Sequence, residues 1–384
     1  MTDPRDLSEQ IDLFAPRGPS EAAATSPSAP NAPTAADAHA PHAPAARSPA
    51  DLPRAPAPEP ARRPAQSDRS PGTSAPAPAA APSAPTLLVV DGTALLFRAF
   101  FGFPGRLSPD GVEVGATLGV CHQLLGVLRR QPAEHIAVVF DAGQLTFRNR
   151  LDPRYKQNRG DPPPELVPQF DLIHEATHAL GLRTFAVLDY EADDLMATLA
   201  RLASDAGLHT RLAAVDKDLC QLVRDRAPRV DICDPKTDAL TDAAGVHGRL
   251  GVRPEQVVDL MALTGDSTDN IQGVRGVGPK AAVALLDAFD HLDGIYENLA
   301  RVEFLGVRGA KALARKLEEG RDEAMLARTL VRLHDAAPVG VAAPDLPTLT
   351  RWQGPRQDAD DLFDRLGTRG PLQGLRRLHD TRLT

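Results

Sequence analysis

Short apolar runs ending on acidic residues recur along this chain, separated by stretches of helical periodicity. Four of them are Leu87–Val90 before Asp91, Ala137–Phe140 before Asp141, Phe185–Leu188 before Asp189, and Leu212–Val215 before Asp216. Val230-Asp231-Ile232 makes a fifth. Such runs, alternating with helical patterns, predict buried strands of one mostly parallel sheet flanked by helices, an α/β architecture. Ala94–Phe101 and Val112–Arg130 read as helices, the second with apolar positions at Val114, Leu118, Cys121, Leu125 and Leu128. Pro164 and Glu165 suit the start of a helix reaching Leu180, which Gly181 stops. The acidic group Glu191-Ala192-Asp193-Asp194 opens another helix, running through Leu202. Further on, Pro254–Thr264 and Pro279–Phe289 flank a Gly-rich hairpin, and helical patterns continue to Leu333.

Composition changes the picture at one end. The chain has 384 residues, 42% hydrophobic, but the first eighty-odd are Pro, Ala and Ser and hold about half of the 36 prolines. That stretch cannot bury enough apolar surface to offset its ordering entropy, so residues 1–85 are expected to be a disordered extension. The expected organisation beyond it is an α/β core over 86–245, a helical subdomain over 246–345 and a docking segment over 346–384. Lys plus Arg is 43 against 51 for Asp plus Glu, a formal charge of −8. This balance weighs against a nucleic-acid partner unless a cation site absorbs the acids. The three cysteines, Cys121, Cys220 and Cys233, lack paired metal-type spacing. With no spanning segment or signal pattern, a reducing cytoplasm is the expected setting, without a membrane partner.

In parallel sheets the ligand crevice lies at the carboxyl ends of the strands, where Asp91, Asp141, Asp216 and Asp218 fall. Glu191 and Asp194 are three apart at a helix start, and Asp266 and Asp269 repeat that spacing. Any one of these acids could be a simple helix cap. Gathered at one rim they repel unless cations sit between them, and hard oxygen ligands suit Mg²⁺ or Mn²⁺ and phosphodiester hydrolysis. Gly276-Val277-Gly278-Pro279-Lys280-Ala281 loosely matches a dinucleotide fingerprint, but no strand precedes it, and a helix–hairpin–helix aimed at a phosphate fits better. The basic stretch from Arg148 to Arg159, with Tyr155 beside Lys156, is either a solvated loop or a guide for single-stranded nucleic acid. His174-Glu175-Ala176-Thr177-His178 matches a zinc protease pattern, yet both histidines lie off the apolar stripe of their helix.

Taken in order, Leu88-Val89-Val90-Asp91-Gly92, Val139-Phe140-Asp141, Glu191-Ala192-Asp193-Asp194, Asp216-Lys217-Asp218, Gly265-Asp266-Ser267-Thr268-Asp269-Asn270 and Gly273-Val274-Arg275-Gly276-Val277-Gly278-Pro279-Lys280 resemble the 5′-nuclease domain of bacterial DNA polymerase I and its free-standing flap endonuclease relatives. The resemblance runs from about Thr86 to about Leu378. It implies a PIN-like 5′-nuclease core with a helix–hairpin–helix, acting as a 5′→3′ exonuclease and flap endonuclease on DNA with 5′ ends or flaps by a two-metal mechanism. It implies metal binding by Asp91, Asp141, Glu191, Asp193, Asp194, Asp216, Asp218, Asp266 and Asp269. Arg98, Arg148 and Lys156 would offset charge on the phosphate. Tyr155, Lys156 and Arg159 match a helical arch near 147–165 over the 5′ strand. Gly273, Val274, Gly276, Val277, Gly278 and Lys280 would hold the duplex, with a K⁺ ion in the loop. No polymerase domain follows, so a stand-alone nuclease is expected. The alternatives are a non-catalytic branched-DNA-binding module, a PIN-like RNase and, remotely, the zinc protease.

Gln10-Ile11-Asp12-Leu13-Phe14 resembles the peptide by which bacterial replication proteins dock on the sliding clamp. Gln10 would set register while Leu13 and Phe14 fill an apolar cleft. A linker of about 70 residues has a reach of ~45 Å or more, which suits a tethered enzyme.

Overall fold

The computed structural model describes residues 84–307 and 309–383. A central sheet is built from β1 (Thr86–Asp91), β2 (His135–Thr146), β3 (Arg183–Asp189), β4 (His209–Ala213), β5 (Val230–Cys233) and β6 (Leu240–Thr241). Their order is β3-β2-β1-β4-β5-β6. The first five are parallel and β6 closes the edge antiparallel to β5. β6 has two residues, too few to leave a periodic signal in the sequence.

β1 shows why continuous apolar runs mark such strands. Leu87 and Val89 enter one hydrophobic cluster and Leu88 and Val90 the other, all at 0% exposure, because helices cover both faces. One face carries α1 (Gly92–Gly102), α2 (Gly115–Arg130) and, after the short α3 (Phe147–Leu151), α4 (Val167–Ala179). The opposite face carries α5 (Ala192–Asp205) and, beyond α6 (Ala243–Leu250), a helical half that begins with α7 (Val257–Thr264) and α8 (Pro279–Phe289). It continues through α9 (Leu292–Glu297), α10 (Leu299–Val302), α11 (Ala310–Glu319) and α12 (Arg321–Val331). The C-terminal α13 (Leu346–Thr350), α14 (Ala359–Arg365) and α15 (Gly370–Leu383) return to the sheet. Phe363, Leu366, Leu372 and Leu375 pack into the first face, and Trp352 Nε1 donates to the Leu180 carbonyl at 3.0 Å.

Two expectations change. β2 runs five residues past Asp141: it leaves β1 after Val139 and continues beside β3, where Thr146 pairs with Asp189. The stretch expected to form a helical arch holds only α3, with turns and irregular chain from Asp152 to Leu166, where three consecutive prolines exclude a continuous helix.

Candidate metal centre and active site

The strand order reverses direction around β1, between its neighbours β2 and β4, and the acids gather at the carboxyl ends there. Asp91 ends β1 and caps α1, its Oδ1 accepting from the Ala94 N–H at 2.8 Å. Gly92 is needed behind it: a Cβ there would lie 2.4 Å from the Phe140 ring. Asp141 Oδ1 accepts from the Ala192 N–H at 2.7 Å, so the start of α5 is tied to β2. Asp193 lies in the first turn of α5. Asp216 follows β4 and its Oδ1 accepts from the Asp218 N–H at 2.9 Å.

These carboxyls act on one another. Burial pushes Asp91 up to about 7, with Asp141 and Asp216 adding to the rise. Burial also raises Asp193 well above the ordinary range, Asp216 and Asp91 contributing next. Asp141 is raised by burial and then by Glu191. Asp91, Asp141 and Asp193, which resist ionisation together, are short of positive charge.

A second group lies beside them. One oxygen from each of Asp218, Asp266 and Asp269 falls within 4.8 Å of the others. Asp266 and Asp269 are carried by a tight loop whose base is closed by Asp266 N–H to Ile271 O at 2.9 Å and Ile271 N–H to Asp266 O at 2.7 Å. Gly265, at φ +73, and Gly273 pack backbone to backbone beneath it: a Cβ on Gly273 would lie 2.2 Å from the Gly265 nitrogen. Burial and then Asp216 push Asp218 up to about 7. Asp266 feels burial too, but hydrogen bonds from Lys217 and the Thr268 N–H outweigh it and hold this carboxyl below its usual range. Lys217 Nζ lies 2.7 Å from Asp266 Oδ2 and 3.2 Å from Asp218 Oδ1.

Glu191 and the basic stretch face both groups. Lys156 has φ 55, a left-handed conformation uncommon outside glycine, and its N–H donates to Asp269 O at 2.9 Å. That backbone aims Nζ to 2.8 Å from Glu191 Oε1 and 3.7 Å from Asp269 Oδ2. Arg159 Nη2 lies 2.5 Å from Asp269 Oδ1. Arg98 is half-buried on α1 and its charge lowers Asp91, a smaller effect than burial.

Several sequence expectations are corrected. Tyr155 offers no open ring for stacking: it is 3% exposed, and its hydroxyl donates to Glu191 Oε2 at 2.9 Å with Asp269 Oδ2 3.1 Å away. Arg148 does not face a phosphate. It is 1% exposed, and its guanidinium donates to Asp194 Oδ2 and Oδ1 at 2.7 Å each, to Leu330 O at 2.8 Å and to Arg332 O at 3.2 Å. Asp194 is correspondingly withdrawn from metal binding, since it also accepts from the Glu191 N–H at 3.1 Å and the His334 N–H at 2.8 Å. In the hairpin, Val274 and Val277 are core anchors at 3% and 5% exposure. Their N–H groups donate to Leu263 O and Val274 O, so neither is offered to DNA. Gly273 serves the acidic loop instead of the hairpin turn. Gly276, at φ +78, Gly278 and Lys280 are exposed. Lys316 crosses this turn and its Nζ donates to Gly276 O at 3.1 Å.

The zinc protease pattern dissolves in the fold. His174 packs on Phe140 with ring centroids 4.5 Å apart, and burial pushes it down to about 4. Glu175 pairs with Arg365 at 3.2 Å. Among the described residues, the acids whose oxygens already lie within 4.8 Å of one another are the aspartate trio, and neither His174 nor His178 belongs to it. Lys217 and Thr93, whose hydroxyl accepts from the Asp141 N–H at 2.8 Å, were not singled out from sequence. A lysine set between Asp216 and Asp218 was the available signal for the first; nothing signposted the second. An all-oxygen carboxylate set, partly unwilling to ionise, fits hard divalent cations.

Among the described residues, no helix is long and apolar enough to cross a membrane. Residues 86–251 match the family model of the 5′-3′ exonuclease N-terminal resolvase-like domain, and residues 252–354 that of the 5′-3′ exonuclease C-terminal SAM fold. DNA polymerase I of Pseudomonas aeruginosa is 40% identical over 248 residues, covering 64% of this chain and 27% of the relative. DNA polymerase I of Rhizobium leguminosarum is 38% identical over 278 residues, 70% of this chain and 26% of the relative. The chain thus spans about a quarter of the length of these polymerases. The 5′-3′ exonuclease of Buchnera aphidicola is 28% identical over 261 residues, 68% of this chain and 90% of the relative. Two solved structures share the fold, both at 22% identity, TM-score 0.52 and 78% coverage of this chain. They are bacteriophage T5 5′-exonuclease with bound zinc, covered over 98%, and T5 flap endonuclease in a pseudo-enzyme–product complex with DNA and metal ions, covered over 100%. With its two matched segments following one another from the first strand to beyond the last helix of the helical half, the chain belongs to the 5′-3′ exonuclease family.

Proposed function

We propose that this chain hydrolyses DNA phosphodiesters at 5′ ends and 5′ flaps, using divalent metal ions that its carboxylates hold. The observation that carries the proposal is the convergence of Asp91, Asp141, Asp193 and Asp216 in one shared field beside the Asp218, Asp266 and Asp269 group. The first set, with Glu191, would hold one ion and the second set another, Mg²⁺ or Mn²⁺ by the hardness of the donors. Bound ions supply charge neutralisation at the phosphate and ease attack by water near neutral pH. The chain's own residues do the rest. Lys156, aimed by its left-handed backbone, and half-buried Arg98 offer positive charge where a phosphate would gain negative charge. Lys217 holds Asp218 and Asp266 in place. Tyr155 orients Glu191.

The exposed turn at Gly276 and Gly278, with Lys280, is the surface proposed to meet the duplex backbone, positioning it without reading sequence. A K⁺ ion at this turn would share the Gly276 carbonyl with the Lys316 ammonium. The clamp-docking role of Gln10, Leu13 and Phe14 lies outside the described residues and is proposed from sequence alone, as is a cytoplasmic setting. Labelled flap, nicked and single-stranded DNA incubated with Mg²⁺, Mn²⁺ or EDTA test the proposal. Release of 5′ products with metal and none with EDTA is expected; intact DNA in every lane would overturn it.

A further inference from the structure

Beside the carboxylate centre three rings meet in a triangle. Phe147 and Tyr190 lie 5.9 Å apart between centroids, Phe147 and His334 6.1 Å, and Tyr190 and His334 5.1 Å, each pair steeply inclined. All three are half-buried, so part of each ring faces solvent. Phe147 and His334, with Thr329, Arg332 and Leu333, line an open groove of about 500 Å³. Arg332 is exposed there, its carbonyl held by Arg148.

The triangle is fixed to the acids from three directions. Tyr190 directly precedes Glu191 in the chain. Phe147 precedes Arg148, whose Nη1 lies 3.5 Å from Glu191 Oε2. The His334 N–H donates to Asp194 Oδ1 at 2.8 Å. A mutually supporting set of aromatic faces with an exposed guanidinium, adjoining a site for phosphodiesters, matches one chemical partner well: an unpaired nucleotide. Every base has a face that stacks on an aromatic ring, and its phosphate seeks a cation.

We propose that this groove holds an unpaired nucleobase of the single-stranded 5′ arm of the DNA, stacked on Phe147 and His334, which Tyr190 supports from behind, with the adjoining phosphate against Arg332. The site rests on the nuclease function proposed above and extends it. It makes the enzyme sensitive to bases in a strand whose sequence it does not read.

The test uses the full chain and flap DNA carrying one abasic residue at successive positions in the 5′ arm, with KM and kcat measured in Mg²⁺. At one position, loss of the base should raise KM about 5- to 100-fold, the range expected for one stacked base. The Phe147→Leu/His334→Leu double variant should raise KM for the intact arm to a similar degree and no longer respond to base loss at that position. Indifference to base loss along the whole arm, or a variant as responsive as the native chain, overturns the site. Should the variant fail to fold, the native chain in EDTA is crosslinked to arms bearing 5-iodouracil at the same positions. Adducts on Phe147, Tyr190 or His334 support the groove, and adducts confined to other residues overturn it. A chain that cleaves no DNA defeats the nuclease proposal itself. A chain that cleaves flaps but ignores base loss defeats only the stacking site.

Discussion

Arg148 and Asp194, at 1% and 0% exposure, form a closed pair whose hydrogen-bonding groups are matched inside the protein. Arg148→Ala would leave a buried carboxylate without its partner and is expected to lower the unfolding free energy by about 3–5 kcal/mol, read by urea denaturation. A loss within measurement error would return Arg148 to the substrate side. Asp193 should behave oppositely. Its carboxyl is held well above the ordinary range by burial first, so its ionised form strains the metal-free fold at neutral pH. Asp193→Asn is therefore expected to raise the melting temperature in EDTA while reducing cleavage on the order of 10²–10³-fold in Mg²⁺, several kcal/mol of lost charge stabilisation. Activity within tenfold of the native chain would remove Asp193 from the centre. At this scale the sequence marks the acids by their positions after apolar runs. It does not reveal that Arg148 reaches Asp194, 46 residues away, or that Tyr155 points inward, because partner choice between distant residues leaves no local pattern.

At the scale of elements, the loop between α7 and the hairpin shows how two glycines set a metal group. Gly265 and Gly273 approach so closely that either side chain would force the Asp266–Ile271 closure open. Gly273→Ala should weaken the Asp218, Asp266 and Asp269 group selectively. Titration with Mn²⁺, followed by paramagnetic resonance, is expected to lose one class of sites and keep the other. Equal weakening of both classes would contradict a local role for the loop. The strands and the main helices were legible because burial on both faces of a parallel sheet leaves unbroken apolar runs. The arch was not, since a resemblance to a helical arch cannot outweigh Pro162, Pro163 and Pro164. Gly273 was misassigned for a similar reason: its sequence neighbours are the hairpin, while its spatial neighbour is Gly265.

For the molecule as a whole, pH and metal are linked through the same carboxyls. Burial sets Asp91 and Asp218 at about 7 in the fold, against about 3.9 for an unfolded aspartate. A raised carboxyl favours folding when protonated, so its contribution is complete below about 4 and is lost as pH climbs to 7. His174, pushed down to about 4 from an ordinary 6.5, works in the reverse sense: its contribution is complete above 6.5 and is lost as pH falls toward 4. The histidine term cancels when Mg²⁺ and EDTA samples are compared at each pH. The rise in melting temperature given by Mg²⁺ is expected to grow from pH 5 to pH 7.5, as the carboxyls ionise and the cation relieves them. A rise that stays constant across that range would detach the buried acids from metal binding.

The Arg148 guanidinium also has a mechanical meaning. Its nitrogens grip Asp194 at the start of α5 and the carbonyls of Leu330 and Arg332 at the end of α12. It therefore rivets together the two segments that the family divides at residue 251. Separating the segments would break the bonds from Arg148 to these two carbonyls and from the His334 N–H to Asp194 at once, so heat should melt both in a single calorimetric transition, and the acid-bearing rim would be lost at the same temperature as the glycine hairpin.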